Sequence, residues 1–348
     1  MRTILVAGAL GIIGRTLVEH CESDSECRVI GLARRTPEFK TRATFRAVDL
    51  LQRDDCERKL SDLREVTHAV YAAWMPGATR QDEVAPNLAM LRNFMEVVGK
   101  AAPNLRHVTL LQGAKAYGSH LGPFRTPARE SDPRHMPPNF YYDQQDYLTH
   151  LQRASAWSWT IFRPTFVYGF AVGNPMNLTT VIAVYAAICK ELGMPLKFPG
   201  SAKAYGVLSQ AVDAELIAKA IVWAGKSEGA RNEIFNLTNG DLFRWSALWP
   251  RLAELFGLPA GEPQRIPLAE FMGYKEDLWK SIVRKHNLEP YPYRDIASWP
   301  FGESSLNREY DHILDTTKIR ARGFDAFEDT WKMFERHLRF LRERRITP

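Results

Sequence analysis

The chain has 348 residues, of which 45% are hydrophobic and 25% are charged, and its formal net charge is +6. This length and apolar content suffice for one large core or two unequal domains, as in a soluble enzyme. No run approaches the roughly 18 consecutive apolar residues that a membrane span requires, which excludes a transmembrane protein.

The first predicted elements form a nucleotide-binding turn. Residues 3–7 are an apolar run typical of a strand, glycines spaced G-x-x-G-x-x-G follow, and a helix is predicted over residues 15–21. Glycine at these points lets the backbone approach a pyrophosphate at the positive end of the helix. The residues predicted to bind it are Gly8, Gly11, Ile12, Ile13 and Gly14. The glycines alone are also compatible with a structural tight turn, but a second predicted strand at residues 27–33 completes a βαβ unit.

The end of that second strand selects the cofactor. Residues 33–36 read A-R-R-T, without the acid that accepts hydrogen bonds from the ribose hydroxyls of NAD. Two guanidinium groups suit the 2′-phosphate of NADP, because each can donate a bidentate pair of hydrogen bonds to phosphate oxygens. Arg34, Arg35 and Thr36 are therefore predicted to bind NADPH; the alternative is ordinary solvated surface charge.

The next strand-like run ends in a second candidate contact to the cofactor. Asp49 and Leu50 close this run, at the place where a carboxylate can accept a hydrogen bond from the adenine amino group. We predict that both residues line the cofactor site. A turn-forming role for Asp49 is the open alternative.

Strand-like and helical segments alternate along the chain, which predicts an α/β fold built on a Rossmann-type doubly wound parallel sheet. The predicted strands are residues 3–7, 27–33, 44–48, 68–72, 107–111, 160–162 and 233–237. We expect an NADP-binding domain at residues 1–165, with a strand near residues 233–240 returning to it. The more helical remainder, residues 166–348, is expected to be a smaller substrate-binding or lid region.

Apolar residues at helical spacing predict the helices. They are expected over residues 87–101, 142–156, 178–192, 210–224, 245–256 and 268–283. In the basic C-terminal segment, Trp331, Phe334, Leu338 and Leu341 recur on one helical face, with arginines outside. We predict an amphipathic helix there, in preference to a nucleic-acid-binding surface.

The cysteines and the N-terminus bear on location. The 4 cysteines form no C-x-x-C pair and no metal-binding spacing with the 9 histidines. They indicate a reducing, cytoplasmic compartment and no bound metal. The apolar N-terminus superficially resembles a signal peptide, but its glycines belong to the nucleotide turn, so we expect no secretion. The expected partner is a small molecule, and the sequence leaves a homodimer open.

The catalytic residues are expected where the strands end. The fifth strand ends in L-Q-G-A-K, residues 111–115, and N-F-Y-Y at residues 139–142 opens a helix. Short-chain dehydrogenase/reductases normally carry a Ser at the first place and Tyr-x-x-x-Lys at the second. Here Gln145 lies four residues after Tyr141, and Lys115 is displaced to the end of the strand. A chain that keeps the tyrosine but moves the lysine has altered chemistry.

Several stretches together resemble the progesterone 5β-reductase / iridoid synthase family of atypical extended short-chain dehydrogenase/reductases. The matching stretches are residues 8–14, 31–36, 67–74, 112–117, 139–142, 163–170, 184–190 and 235–243. The resemblance covers nearly the whole chain. It implies NADPH-dependent reduction of the C=C bond of an enone or enal, with Tyr141 and Lys115 as the catalytic pair and Tyr141 beside the cofactor. Two segments depart from the family pattern, residues 111–115 and Thr165-Phe166, and both border the reacting centre.

The implied reaction is 1,4-reduction, in which Tyr141 stabilises an enolate and Lys115 supports that charge. The alternatives for the pair are a core aromatic and a loop charge. Trp74, Phe166, Met176 and Tyr205 are predicted to contact the substrate, although most aromatic residues at such positions belong to a core.

Other aromatic residues and other functions also stay open. The further aromatic residues weighed for the substrate wall are Tyr168 and Phe170, and those weighed as a lid or as domain packing are Trp279, Tyr291, Tyr293, Trp299 and Phe301. Three other functions remain compatible with the fold: a carbonyl reductase, a nucleotide-sugar epimerase or dehydratase, and a non-catalytic NADP(H)-sensing protein.

Overall fold

A computed structural model describes residues 1–174 and 176–348. Its strands are β1 (Arg2–Ala7), β2 (Cys27–Ala33), β3 (Thr44–Ala47), β4 (His68–Tyr71), β5 (His107–Leu111), β6 (Ser158–Pro164), β7 (Phe166–Tyr168), β8 (Leu196–Lys197), β9 (Ala211–Asp213), β10 (Glu233–Leu237) and β11 (Ala260–Gly261). Its α-helices are α1 (Ile12–Cys21), α2 (Arg53–Lys59), α3 (Arg80–Ala101), α4 (Phe140–Gln152), α5 (Leu178–Glu191), α6 (Ala202–Gly206), α7 (Ala214–Ala224), α8 (Trp245–Leu255), α9 (Leu268–Gly273), α10 (Glu276–Lys285), α11 (Tyr293–Ile296), α12 (Trp299–Leu306), α13 (Thr317–Ala321) and α14 (Thr330–Glu343). Two short 3₁₀ helices span Ala114–Tyr117 and Glu228–Ala230.

Seven strands form one parallel sheet in the order β10-β6-β5-β4-β1-β2-β3. Every neighbouring pair is parallel, so the carboxyl ends of all seven strands lie along one edge. The strand order reverses between β1 and β4, which is where open α/β sheets bind ligands. The predicted Rossmann-type doubly wound fold is therefore confirmed.

The chain divides into two compact units. The first contains Met1–Thr165, Ala214–Leu237 and Leu314–Ala326, and the second contains Phe166–Asp213, Thr238–Ile313 and Phe327–Pro348. The first unit therefore takes more of the C-terminal half than the strand expected to return. Helix α7 and strand β10 come back together as one αβ crossover, and α13 packs beside them, so the predicted continuous second region at 166–348 needs correction.

The core of the first unit lies between the sheet and its helices. Strand β1 is buried from Thr3 to Ala7, as expected for a central strand covered on both faces. Leu5, Ile30, Tyr71 and Phe94 are at most 1% exposed. Because this strand ends in a rigid core, the turn that follows it is fixed in place.

The second unit is built around α5, in which every residue from Leu178 to Cys189 is buried. Helix α14 buries Phe334, Leu338 and Leu341, as the C-terminal spacing predicted, whereas Trp331 is only partly buried under the Arg251 guanidinium, 3.9 Å from its ring centroid. The basic face of α14 also has a structural task in this unit. Arg336 forms ion pairs with Glu328 and with the buried carboxylate of Asp213.

Three predicted helices differ from the observed ones. Helix α3 starts at Arg80 rather than residue 87, because Thr79 and Asp82 form a capping box and Pro86 lies inside the helix. The segment 210–224 is not one helix, since Ala211–Asp213 pairs with Phe166–Tyr168 as a strand. The segment 268–283 is two helices, the first of which ends at Gly273. Within the described residues, no helix is both long and apolar enough to cross a membrane.

Two buried histidines predict acid sensitivity of the first unit. His107 and His68 begin β5 and β4, and burial lowers the pKa of both side chains, that of His107 to about 3, with the charges of His68 and Arg231 acting in the same direction. In the unfolded chain the His107 imidazole binds a proton near pH 6.5, whereas in the folded protein it stays neutral until the pH is much lower. Stability is therefore full above about pH 6.5 and falls by about 1.4 kcal/mol per pH unit below it.

We expect the melting temperature of wild-type protein to fall more steeply between about pH 6.5 and 4.5 than that of His107→Gln. Scanning calorimetry across this range measures the slope. Equal slopes in the two proteins would show that His107 is protonated at the same pH in the folded and unfolded states.

Candidate active site

The turn after β1 has the shape of a nucleotide cradle. Gly8 has a φ of +81°, and a Cβ atom there would lie 2.7 Å from the carbonyl oxygen of Ala72. A Cβ on Gly14 would lie 2.2 Å from the carbonyl oxygen of Gly8. Both positions therefore require glycine. Gly11 is the N-cap residue of α1, and among the described residues no side chain caps this helix. The first backbone N–H groups of α1 therefore remain available to an anion.

The residues after β2 leave positive charge at the carboxyl edge of the sheet. Arg34, Arg35 and Thr36 are exposed. The nearest acid along the chain is Glu38, and it forms an ion pair with buried Arg15. Arg15 also lies over the ring of Phe39, 4.4 Å from its centroid. The sequence analysis missed this pair, which engages the carboxylate that is nearest to the end of β2 along the chain.

Asp49 has the turn-forming role that was kept open. Its Oδ1 accepts a hydrogen bond from the amide of Leu51 at 3.1 Å, and its own amide donates to Asp55 at 2.9 Å. Leu50 is buried, and its carbonyl oxygen accepts a hydrogen bond from Asn93. Contact of Asp49 or Leu50 with an adenine ring stays a prediction.

Tyr141 lies in the first turn of α4, next to the end of β5. Asn139 caps this helix, because its side-chain oxygen accepts a hydrogen bond from the Tyr141 amide at 3.2 Å. The Tyr141 hydroxyl oxygen is 3.3 Å from the position that a Cβ atom on Gly113 would take. Glycine at 113 therefore leaves the space that the phenol needs, and the two sequence-predicted segments meet at this point.

The second tyrosine of the motif is structural. The Tyr142 hydroxyl donates to the carbonyl oxygen of Ala116 at 2.8 Å and accepts from the amide of His135 at 3.2 Å. Its ring lies under the Arg134 guanidinium, 4.8 Å away. Tyr142 is 7% exposed and all of its bonding serves the fold.

Lys115 lies on the short 3₁₀ helix that follows β5, and its backbone is fixed against the start of α4. Its carbonyl oxygen accepts hydrogen bonds from Asn139 Nδ2 at 2.9 Å and from His135 Nε2 at 3.2 Å. The lysine side chain is partly buried. The backbone of Lys115 and the helix turn that carries Tyr141 are thus held by the same asparagine.

The electrostatics around Tyr141 keep its phenol protonated. Burial raises the pKa of Tyr141 above its ordinary value, the Glu83 carboxylate raises it further, and Arg80 lowers it. Glu83 is 5% exposed and pairs with Arg80 at 3.1 Å. A protonated phenol is a hydrogen-bond donor at neutral pH. The sequence analysis missed Glu83 because it placed the start of α3 after this residue.

The four residues predicted to contact substrate are distributed over both units. Trp74, in the first unit, is 37% exposed. In the second unit, Phe166, Met176 and Tyr205 are partly buried. The ring centroids of Phe166 and His312 are 5.0 Å apart, and the guanidinium carbon of Arg308 lies 4.8 Å from the Phe166 ring centroid.

The remaining aromatic residues belong mainly to the packing of the second unit. Trp279, Tyr293 and Trp299 are buried against one another, with ring centroids 6.3 and 5.8 Å apart, and so are core residues rather than a lid. Tyr291 and Phe301 pack at the margin of the same core. Tyr168 is 1% exposed, and Phe170 packs against Phe340.

Comparisons with known proteins show the family and the fold of this chain. The family model described as a PRISE-like Rossmann-fold domain matches residues 43–348. An (S)-8-oxocitronellyl enol synthase of Nepeta racemosa and a 3-oxo-Delta(4,5)-steroid 5-beta-reductase of Arabidopsis thaliana are each 36% identical to this chain; each alignment covers 95% of this chain and 89% of the relative. The solved structure of a UDP-glucose 4-epimerase from Thermotoga maritima aligns with a TM-score of 0.68, over 98% of this chain and 99% of its own, at 17% identity. That structural likeness concerns the fold alone.

Proposed function

The chain belongs to the PRISE-like Rossmann-fold family, and from this membership we propose that it is an oxidoreductase that uses NADPH to reduce the C=C bond of α,β-unsaturated carbonyl compounds. The observation that carries the proposal is the Tyr141 hydroxyl beside Gly113, with Gln145 instead of lysine one helical turn away. The name of the Arabidopsis relative describes a reductase of a 3-oxo steroid with a Δ4,5 double bond, which is an enone.

The donor set of the first unit fits the cofactor. The glycine cradle and the uncapped start of α1 suit a pyrophosphate, since a Cβ at Gly8 or Gly14 would fill the cradle. The exposed Arg34 and Arg35 suit a 2′-phosphate, and Glu38 is engaged by Arg15. NADPH, when bound there, supplies a hydride to the β-carbon of the substrate. These features favour NADPH over NADH.

Tyr141 provides the stabilisation that conjugate reduction requires. Its protonated hydroxyl donates a hydrogen bond to the carbonyl oxygen of the substrate, where negative charge develops as the enolate forms. Lys115 supports that charge or orients the tyrosine. An enolate is a much weaker base than an alkoxide, so the carbon can take its proton from water afterwards. A site without the Tyr-x-x-x-Lys relay therefore suits an enone better than a simple ketone.

The position of the transferred hydride tests this reaction. We expect deuterium from NADPH labelled at both C4 positions to appear at the β-carbon of a saturated product when the substrate is a small cyclic enone. NMR of the product locates the label. The matched saturated ketone should react far more slowly, since its alkoxide needs a proton in the same step. An allylic alcohol as main product would instead identify an ordinary carbonyl reductase.

The location and assembly of the protein are part of the same proposal. All 4 cysteines are free thiols in the described structure, and that supports a reducing, cytoplasmic location. The partner we propose is the small enone or enal itself, and gel filtration with light scattering distinguishes a monomer from a homodimer.

A further inference from the structure

A buried arginine connects three elements around Tyr141. Arg163 lies near the end of β6, is 4% exposed, and donates from Nε to Gln112 Oε1 at 3.0 Å. Gln112 follows β5 and is 6% exposed; its Nε2 donates to the backbone carbonyl oxygen of Tyr141 at 2.8 Å. We propose that Arg163 and Gln112 are positioning residues that hold the Tyr141 hydroxyl in place for the enone reduction proposed above, on which this inference rests.

The same guanidinium also holds the next turn of α4. Arg163 Nη2 donates to Gln145 Oε1 at 3.1 Å. Tyr141 and Gln145 are four residues apart, so they lie on the same face of the helix. One side chain of β6 thus fixes this face at two points, through Gln112 at Tyr141 and directly at Gln145. Gln145 occupies the place of the relay lysine, and its carboxamide oxygen is committed to Arg163.

Arg163 is also in contact with the segment that carries Lys115. Its guanidinium carbon lies 5.0 Å from the ring centroid of Tyr117, the last residue of the 3₁₀ helix Ala114–Tyr117. The Tyr117 hydroxyl donates to Asn236 on β10 at 2.6 Å, which fixes the ring. The segments that bear the two candidate catalytic residues therefore share one support.

The chemical nature of the groups that bind Arg163 indicates that this residue does more than stabilise the fold. Arg163 donates to the neutral carboxamide oxygens of Gln112 and Gln145 and also interacts with the neutral Tyr117 hydroxyl; among the described residues, no carboxylate lies within ion-pair distance of its guanidinium. Replacing buried charged groups by well-packed apolar residues of similar volume is often neutral or stabilising, so stability alone does not account for a buried arginine at this position. Arg163 offers what an apolar residue cannot, a rigid planar fork with donors on two edges that reach two residues at once.

The Tyr141 hydroxyl lies close to the backbone at the end of β5. It is 3.3 Å from the place that a Cβ atom on Gly113 would take, so its position depends on how the start of α4 is held against this strand. A shift of about 1 Å in a catalytic group can lower a rate on the order of 100-fold. Loss of the Gln112 bond should therefore slow the chemical step. It should leave NADPH binding nearly unchanged, because the glycine cradle and the arginines after β2 lie on other segments.

Two matched glutamine variants test the proposal. Gln112→Met removes the bond to the Tyr141 carbonyl and the acceptor of Arg163 Nε. Gln144→Met removes a bond of the same kind, from Gln144 Nε2 to the carbonyl oxygen of Asn87 at 2.9 Å, that does not reach Tyr141. Both glutamines are buried. We expect Gln112→Met to lower kcat about tenfold or more, with KM and the NADPH Kd within about twofold of wild type and a larger primary deuterium isotope effect. Gln144→Met should also lower the melting temperature, by less because it breaks one bond rather than two, while kcat stays near wild type.

A second readout is independent of turnover. Crystal structures of wild type and Gln112→Met give the distance between the Tyr141 hydroxyl and the Gly113 Cα, which we expect to change in the variant. An unchanged distance, or an equal kcat loss in both variants, overturns the positioning role. Failure of wild-type protein to reduce any enone overturns the proposed function instead, and the crystallographic distance still decides whether Gln112 holds Tyr141.

Chemical rescue tests the arginine itself. In Arg163→Ala, added guanidinium ion should restore part of the lost kcat, because it can reoccupy the space between Gln112 and Gln145. Wild-type protein is the control for any general effect of the salt. If the variant folds and guanidinium leaves its kcat unchanged, the role assigned to Arg163 is wrong; if it does not fold, the Gln112 and Gln144 pair decides.

Discussion

Tyr141→Phe should lower kcat for enone reduction by roughly 100- to 1000-fold, the scale expected for loss of one donor to a developing oxyanion. The substitution removes the hydroxyl beside Gly113 and leaves the ring in place. The backbone contacts of Tyr141 to Asn139 and Gln112 do not involve the hydroxyl, so the start of α4 should be unchanged. Steady-state kinetics with an enone and NADPH measure the loss, and the NADPH Kd should stay near the wild-type value.

Tyr142→Phe is the matched control, since it removes the same atom from the adjacent residue. The Tyr142 hydroxyl bonds the backbone at Ala116 and His135, so its loss leaves two backbone groups without this partner. We expect a lower melting temperature, about 1–3 kcal/mol of lost stability, and little change in kcat. A larger kcat loss at Tyr142 than at Tyr141 would mean that the resemblance has been carried to the wrong tyrosine.

The sequence predicted the sheet well because each central strand carries its own signal. Strands β2 and β5 have the predicted bounds, and β4 ends one residue earlier than predicted. These strands are short apolar runs bounded by turn residues, and burial on both faces leaves little freedom in where they begin and end. The glycine turn was equally readable, because Gly8 and Gly14 are required by contacts within a single βα unit.

The errors lie where a distant contact or an overlooked helix cap decides the local structure. Strand β9 continues the apolar periodicity of α7, and only its pairing with Phe166–Tyr168, more than 40 residues earlier, makes it a strand. The start of α3 was masked by Pro86, although Thr79 and Asp82 carry the capping signal. In both cases a local pattern was read without the contact or cap that overrides it.

The candidate site shows the same division. Tyr141, Lys115 and the arginines after β2 could be predicted because each belongs to a short motif. Gln112, Arg163 and Glu83 were not, since their importance arises from contacts between the ends of β5, β6 and α3 that the parallel sheet brings together. Residues that support a reacting group from another element leave no local pattern in a single sequence.

The double variant Arg34→Ala/Arg35→Ala should weaken NADPH binding roughly 10- to 100-fold and leave the NADH Kd within about twofold. A buried charge-assisted hydrogen bond contributes about 1.5–3 kcal/mol, and both arginines are exposed, so water and salt reduce that contribution. The remaining effect should be specific to the 2′-phosphate, the group that distinguishes the two cofactors. Fluorescence titration with NADPH and NADH measures both constants, and the difference between them should shrink as salt is raised.

A control variant that loses the same charge separates direct contact with the 2′-phosphate from the general electrostatic attraction of the protein for NADPH. Arg28→Ala/Arg64→Ala also removes two exposed positive charges, but Arg28 lies at the amino end of β2 and Arg64 precedes β4. Six residues of strand span about 20 Å, beyond the Debye length at physiological salt, so this control should leave the NADPH Kd nearly unchanged. Equal losses of NADPH affinity in the two double variants would show that Arg34 and Arg35 act only through the net charge of the protein. Equal affinity of wild-type protein for NADH and NADPH would contradict any contact with the 2′-phosphate, because a site that binds this group must bind NADPH more tightly than NADH.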